Sequence, residues 1–243
     1  MQVDALGVRL RPRSAMEAAD LGVRLCQAAR RSVYPAFLTV AGPLTVLAIA
    51  SYEIAPWLPA VAIWWMKPWF DRTILFALSR AVFNQQTRFA DVWQARRRVW
   101  FGGLLLTVTL QRLSFWRSLT QPVYQLEGGS LVVAMRRVRQ LRRGTAGSAF
   151  LTTCAFSLSE LALMASALSL LYWFAPAGRP PDLSEILFGE DPGLMALTVP
   201  VSYAAVVMFL EPFYVAAGFA LYLNRRAELE AWDIEQEFRR AFA

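Results

Sequence analysis

The chain has 243 residues, 56% of them hydrophobic and 13% aromatic, with a mean hydropathy of +0.37, a net charge of +7 and a pI near 10.0. That is too apolar for an ordinary soluble domain, and the basic residues alternate with long apolar runs, as the flanks of a multi-pass membrane protein do and a nucleic-acid-binding surface does not. The absence of histidine excludes His-based catalytic pairs, His-ligated metal and His proton relays.

Taken in order, the first 30 residues lack the succession of a cleaved leader, so no removable signal peptide is expected. Ser14 and Glu17 stand in capping-box spacing, and Met16, Ala19, Val23 and Cys26 recur on one face. The stretch 14–33 therefore reads as an interfacial amphipathic helix with Arg24, Arg30 and Arg31 toward water. Residues 34–51 are uncharged and long enough to span a bilayer, with Pro43 as a kink. The short link "YEIAPWLP" carries only Glu53 and belongs outside.

A second span over 57–83 contains "WWMKPWFDR", which places Lys67, Asp71 and Arg72 inside it. Three central charges cost on the order of 8 to 10 kcal/mol, against roughly 3 to 6 kcal/mol recovered from the span's aliphatic and Phe side chains. Arginines 80, 88, 96, 97 and 98 mark the return to the cytoplasm. Within 84–148, a cytoplasmic and interfacial region, the apolar part of 99–110 is too short to cross and reads as re-entrant or interfacial. "SLVVAMRRVRQLRRG" reads as a basic amphipathic helix with Leu131, Met135, Val138 and Leu141 or Arg142 along its apolar edge. Its Arg136, Arg137, Arg139, Arg142 and Arg143 are candidate contacts for anionic lipid headgroups, or simply positive-inside topology.

Residues 149–174 form a third span with Glu160 near its centre. An acidic loop containing Asp182, Glu185, Glu190 and Asp191 follows and belongs outside. Residues 195–223 form a fourth, with Glu211 and Pro212 near mid-depth. Residues 225–243 read as a C-terminal amphipathic helix on the cytoplasmic face. The expected fold is an all-α polytopic membrane bundle: about four transmembrane helices in a single membrane domain, with interfacial amphipathic helices and both termini in the cytoplasm.

Lys67 and Asp71, four residues apart, share a helix face and can pair locally. Lys67, Asp71, Arg72, Glu160 and Glu211 form either a buried network that fixes packing or a polar path for protons, ions or a headgroup. No catalytic, cofactor or metal site is expected.

"EPFYVAAGFALYLNRRAELEAWDIE" (211–235) resembles the end of a bacterial multi-pass family that includes the membrane domain of glycerophosphodiester phosphodiesterases. "RPRSAMEAADLGVRL" and "WWMKPWFDRTILFALSRAVF" resemble a narrower, uncharacterised proteobacterial group. The phosphodiesterase chemistry belongs to a separate soluble barrel, so activity does not carry over. The narrower resemblance implies a bacterial inner-membrane partner protein linked to a MoxR-type ATPase system. The resulting expectation is a non-enzymatic scaffold or accessory subunit of an envelope assembly, with other membrane proteins and lipid as partners and no nucleic acid. The alternative is a small transporter or channel through Lys67, Asp71, Glu160 and Glu211.

Overall fold

A computed structural model describes residues 13–103, 107, 109, 111–174 and 197–230, excepting the side chains of 171 and 172. The expected outer acidic loop and the end of the C-terminal helix fall outside the described residues. Within them the protein is all-helical. Eight α-helices follow in order: α1 Ala15–Ala28, α2 Arg30–Ala50, α3 Leu58–Ala81, α4 Phe89–Gln94, α5 Arg117–Pro122, α6 Leu131–Arg142, α7 Ala146–Trp173 and α8 Thr198–Glu230. Three segments, Arg30–Glu53, Ala146–Leu170 and Thr198–Glu230, are long and apolar enough to cross a membrane. Helix α3 is equally long, but its charged residues keep it out of that set.

The first helix begins where the spacing places it, with the Ser14 hydroxyl accepting from the Glu17 backbone N–H at 3.2 Å. Its buried face differs from the expected one. Ala18, Gly22 and Cys26 are inside, whereas Met16 is exposed. The reason is close packing on α8: a Cβ on Gly22 would lie 2.2 Å from the Ala216 carbonyl oxygen. Arg13 exchanges backbone hydrogen bonds with the Asn224 side chain, and the Tyr34 hydroxyl donates to the Phe209 carbonyl at 2.8 Å. Helices α1 and α2 thus run antiparallel to α8 as two halves of one bent partner. Residues 30–33 already belong to α2.

Helix α8 is the axis of the molecule: 72% of its apolar window is buried, against 6% for α7. It continues without a break through Arg225 and Arg226 to Glu230, where the described residues end.

The described residues of 97–103 and 111–127 fold against α3. A π-helical turn over Arg97–Phe101 leads away from α4, and α5 runs into a second such turn over Val123–Glu127. Arg72 binds Val99, Gly102 and Thr107, Arg112 stacks on Trp64, and Gln121 and Gln125 bond the carbonyls of Pro68 and Arg72. The described residues on either side of 104–110 therefore lie along α3, beside its stretch from Trp64 to Arg72. All six residues of α5 are buried.

Helix α6 buries Ala134 and Leu141, with Val138 half-buried, and leaves Leu131 and Met135 exposed. The period is the expected one, but the edge facing the bundle is shifted by one residue at its start.

Candidate functional site: a buried ion-pair network beside a cleft

Four elements bring five charged side chains together. Lys67 on α3 has its Nζ 2.6 Å from Glu160 Oε2 on α7 and 2.8 Å from Glu211 Oε2 on α8. Arg117, at the first turn of α5, places Nη2 2.8 Å from Glu211 Oε1 and Nε 2.8 Å from Asp71 Oδ2. The result is one continuous chain, Glu160–Lys67–Glu211–Arg117–Asp71. Asp71, Glu211, Arg117 and Lys67 are buried, and the Glu160 side chain retains 21% exposure. At these separations in a weakly polar interior, each charge is tolerable only because another meets it.

The wiring differs from the local pairing that i,i+4 spacing allows. Lys67 reaches two other helices, and Asp71 takes Arg117 as its ion-pair partner. The helix turns these side chains toward different neighbours. Pro68 and Pro212 sit inside their helices immediately after Lys67 and Glu211.

Arg72 stands outside this network. Its guanidinium donates to the carbonyls of Val99, Arg98 (3.0 Å) and Gly102 and to Thr107 Oγ1 (2.9 Å), and it is 1% exposed. It caps the broken backbone around residues 98–102 instead of neutralising an acid. Arg117, which the sequence pattern reads as a flanking charge, takes the place in the network that Arg72 was expected to fill. The one signal for it is its position just after an apolar stretch too short to span.

Beside the network lies a cleft of about 490 Å³, lined by Lys67, Arg117, Glu160 and Glu211 together with Arg112, Trp64, Tyr203, Tyr214 and apolar side chains of α7. Arg112 lies over the Trp64 ring at 3.4 Å, a cation–π contact. Among the described residues it has no hydrogen-bond or ion-pair partner, and its Nε is buried.

A second charge cluster forms at the other end of α8. Arg137 pairs with Glu127 (3.3 Å) and Glu230, and Arg226 pairs with Glu230 (2.7 Å), while the Tyr222 hydroxyl donates to Glu127 at 2.7 Å. Of the candidate lipid contacts, Arg137 is thus committed to acids, and Arg142 lies over the Trp116 ring at 3.7 Å. Arg136, Arg139 and Arg143 are exposed. No cluster of metal-ligating side chains occurs among the described residues.

The chain matches no protein-family model, no curated protein and no solved structure. Its functional information lies in the residues themselves.

Proposed function

We propose that this chain is a non-enzymatic bacterial inner-membrane protein with four spans and both termini in the cytoplasm, serving as a scaffold or accessory subunit of a membrane assembly. The fourth span on this reading is α3. Its 24 residues are long enough, and internal partners for Lys67, Asp71 and Arg72 remove much of the desolvation cost of inserting it.

The observation that carries the accessory role is α7. It is 28 residues long yet almost uncovered by the rest of the chain. Small residues, Ser148, Thr152, Ala155, Ser159, Ala162, Ser166 and Ser169, recur along it at alternating steps of four and three. In lipid, where burying apolar surface gives little drive, small residues that allow close backbone approach are what helix association uses. The hydroxyls of Ser159 and Ser166 bond carbonyls of their own helix, so this stripe presents few unsatisfied polar groups. The resemblance to proteobacterial envelope proteins points the same way.

The test is a photo-crosslinking residue at Ala162 in native membranes, with one at Val46, on the exposed side of α2, as a control. A discrete adduct with another membrane protein from Ala162 alone is the expected result. Lipid adducts only, from both positions, would count decisively against an accessory role.

A second reading, a small transporter or channel, is favoured by the charged lining of the cleft. It requires pH-dependent flux in liposomes that Glu211→Gln abolishes. Against it stands the pairing of every network charge with another.

A further inference from the structure

A second pocket opens away from the charge network, where α2 begins and α3 ends. Helix α2 starts at Arg30, and α3 ends at Ala81 and runs into Asn84, whose φ of 57° turns the chain back. The turn is pinned to α2. Thr87 donates its backbone N–H to the Ser32 hydroxyl at 2.7 Å, and that hydroxyl donates to the Thr87 carbonyl at 3.3 Å. Helix α1 closes the remaining side. The space enclosed is about 460 Å³, within the range of ligand pockets.

The lining divides by chemistry. Leu21, Leu25, Ala28 and Ala29 supply apolar surface, while Arg24, Arg31 and the amides of Asn84, Gln85 and Gln86 are exposed polar groups. Arg24 pairs with Asp20 at 2.9 Å, one turn away on its own helix. Among the described residues the Arg31 guanidinium and the three amides have no hydrogen-bond or ion-pair partner. None of the residues lining the pocket is acidic. An anion can therefore meet Arg31 without displacing a carboxylate, and an ammonium finds nothing to receive it. On α6, by contrast, Arg137 is held by Glu127 and Glu230, and Arg142 lies over Trp116.

We propose that this pocket binds the headgroup of an anionic glycerophospholipid of the cytoplasmic leaflet. The end of α3 where it lies is followed by Arg80, Arg88 and Arg96 to Arg98, whereas the link at the other end carries Glu53 alone, the asymmetry of a cytoplasmic headgroup level. The phosphodiester lies on the planar donors of Arg31, with the amide N–H groups of Asn84 and Gln85 beside it, and the first carbons of the chains lie along Leu21 and Leu25. A zwitterionic lipid brings the same phosphate with an ammonium that Arg24 and Arg31 repel. The site rests on the proposed orientation of α2 and α3 and not on the accessory role, which the Ala162 adducts decide separately; binding in micelles is read without reference to either.

The experiment is a lipid titration of the purified full chain in detergent micelles, following thermal stability. The probes are phosphatidylglycerol, phosphatidylethanolamine and phosphatidylcholine with identical chains, and water-soluble glycerol phosphate. Saturable stabilisation by phosphatidylglycerol is expected, with apparent affinity about tenfold tighter than for either zwitterionic lipid, and glycerol phosphate should be inert. Arg31→Gln should lose about tenfold in phosphatidylglycerol affinity, the ratio expected of one good charge-assisted contact. Ala28→Phe keeps every charge but fills the pocket, and should abolish the saturable response. Arg139→Gln, an exposed arginine on α6, should leave it unchanged. Native mass spectrometry of the unaltered protein needs no variant: phosphatidylglycerol should be the lipid retained from a mixture. Equal effects of all three lipids would overturn the proposal. So would glycerol phosphate as potent as the lipid, which means a simple anion site, or a response unaltered in Ala28→Phe, or a loss in Arg139→Gln as large as in Arg31→Gln, which means a diffuse basic surface.

Discussion

Arg117→Met and Glu211→Gln each delete one charge from the buried network, yet its wiring makes their costs unequal. Removing Glu211 leaves two self-contained pairs, Lys67 with Glu160 at 2.6 Å and Arg117 with Asp71 at 2.8 Å, and the remaining four charges balance. A glutamine there keeps one oxygen for one of the two cations and turns its amide NH2 toward the other, which retains its remaining acid partner. The loss is one charge-assisted hydrogen bond and the weakening of a second, on the order of 1 to 2 kcal/mol. Removing Arg117 instead strands Asp71, which is 1% exposed and has Arg117 as its ion-pair partner, and leaves three carboxylates facing one lysine. Breaking a buried pair in this way costs about 3 to 5 kcal/mol. Equilibrium unfolding in mixed micelles should therefore rank Arg117→Met well below Glu211→Gln. Adding Asp71→Asn to Arg117→Met should recover a large share of the loss, which a double-mutant cycle measures directly. If Glu211→Gln costs as much as Arg117→Met, or if the double variant is no better than the single one, the charges are not balanced as the geometry says and the reasoning fails.

Arg72→Met leaves the carbonyls of Arg98, Val99 and Gly102 without their donor, and at about 1 to 3 kcal/mol for each unsatisfied buried group it should release residues 97–103 to faster amide exchange while the exchange of α2 stays unchanged. Gly22→Ala places a Cβ against the Ala216 carbonyl and should weaken α1 on α8 by more than about 2 kcal/mol, whereas Gly147→Ala, which meets nothing within 4 Å, should be neutral or slightly stabilising by thermal unfolding. Burial pushes the Cys26 thiol up to about 12, so maleimide at pH 8 should label it only after unfolding. Because its folded value lies above the ordinary 9.0, the stability linked to it is fully present below pH 9 and is lost as pH rises toward 12; labelling of the folded chain near neutral pH would contradict this. Cysteines placed at Glu53 and at Gln85, at opposite ends of α3, should react with an impermeant maleimide from opposite sides of the membrane; labelling from one side would remove α3 as a span.

Much of the helix framework was legible because it follows from local rules. Long apolar runs gave α2, α7 and α8, and one hydroxyl in capping register gave the start of α1. The membership of the charge network was half legible for the same reason: an ion in an apolar run needs a partner wherever that run is packed. Its wiring was not. Lys67 is 93 residues from Glu160, and no local pattern says that it meets both Glu160 and Glu211 and not Asp71. Arg117 escaped because an arginine after a short apolar run reads as a flank, and only the packing of residues 111–127 on α3 turns that flank inward. On α6 both edges are apolar enough to face the bundle. Ala134 and Leu141 won over Leu131 and Met135 because the chain enters from Gly128 and Gly129, both at positive φ, at an angle fixed by tertiary contacts.

The segment between α4 and α6 gives the charges of α3 a common logic. A segment broken by π-helical turns and by Gly103 at positive φ leaves backbone carbonyls without helical partners, and those that are buried need donors from elsewhere in the chain. The donors must come from side chains, and α3 with α5 supplies them in register: Arg72 toward Val99 and Gly102 before the apolar stretch, Gln121 and Gln125 toward Pro68 and Arg72 after it. Trp69 and Trp100 complete the seam, the Trp69 indole donating to the Trp100 carbonyl and the Trp100 indole to Thr73 Oγ1, each at 3.2 Å. A segment held this way can carry an arginine to the centre of the bundle, and Arg117 in turn requires the acids of α3 and α8. Two of the three charges of "KPWFDR" thus follow from one structural decision, to fold a chain segment into the bundle instead of across it. Lys67 is the third, and it ties α7, the helix least covered by the rest of the chain, to the core through Glu160.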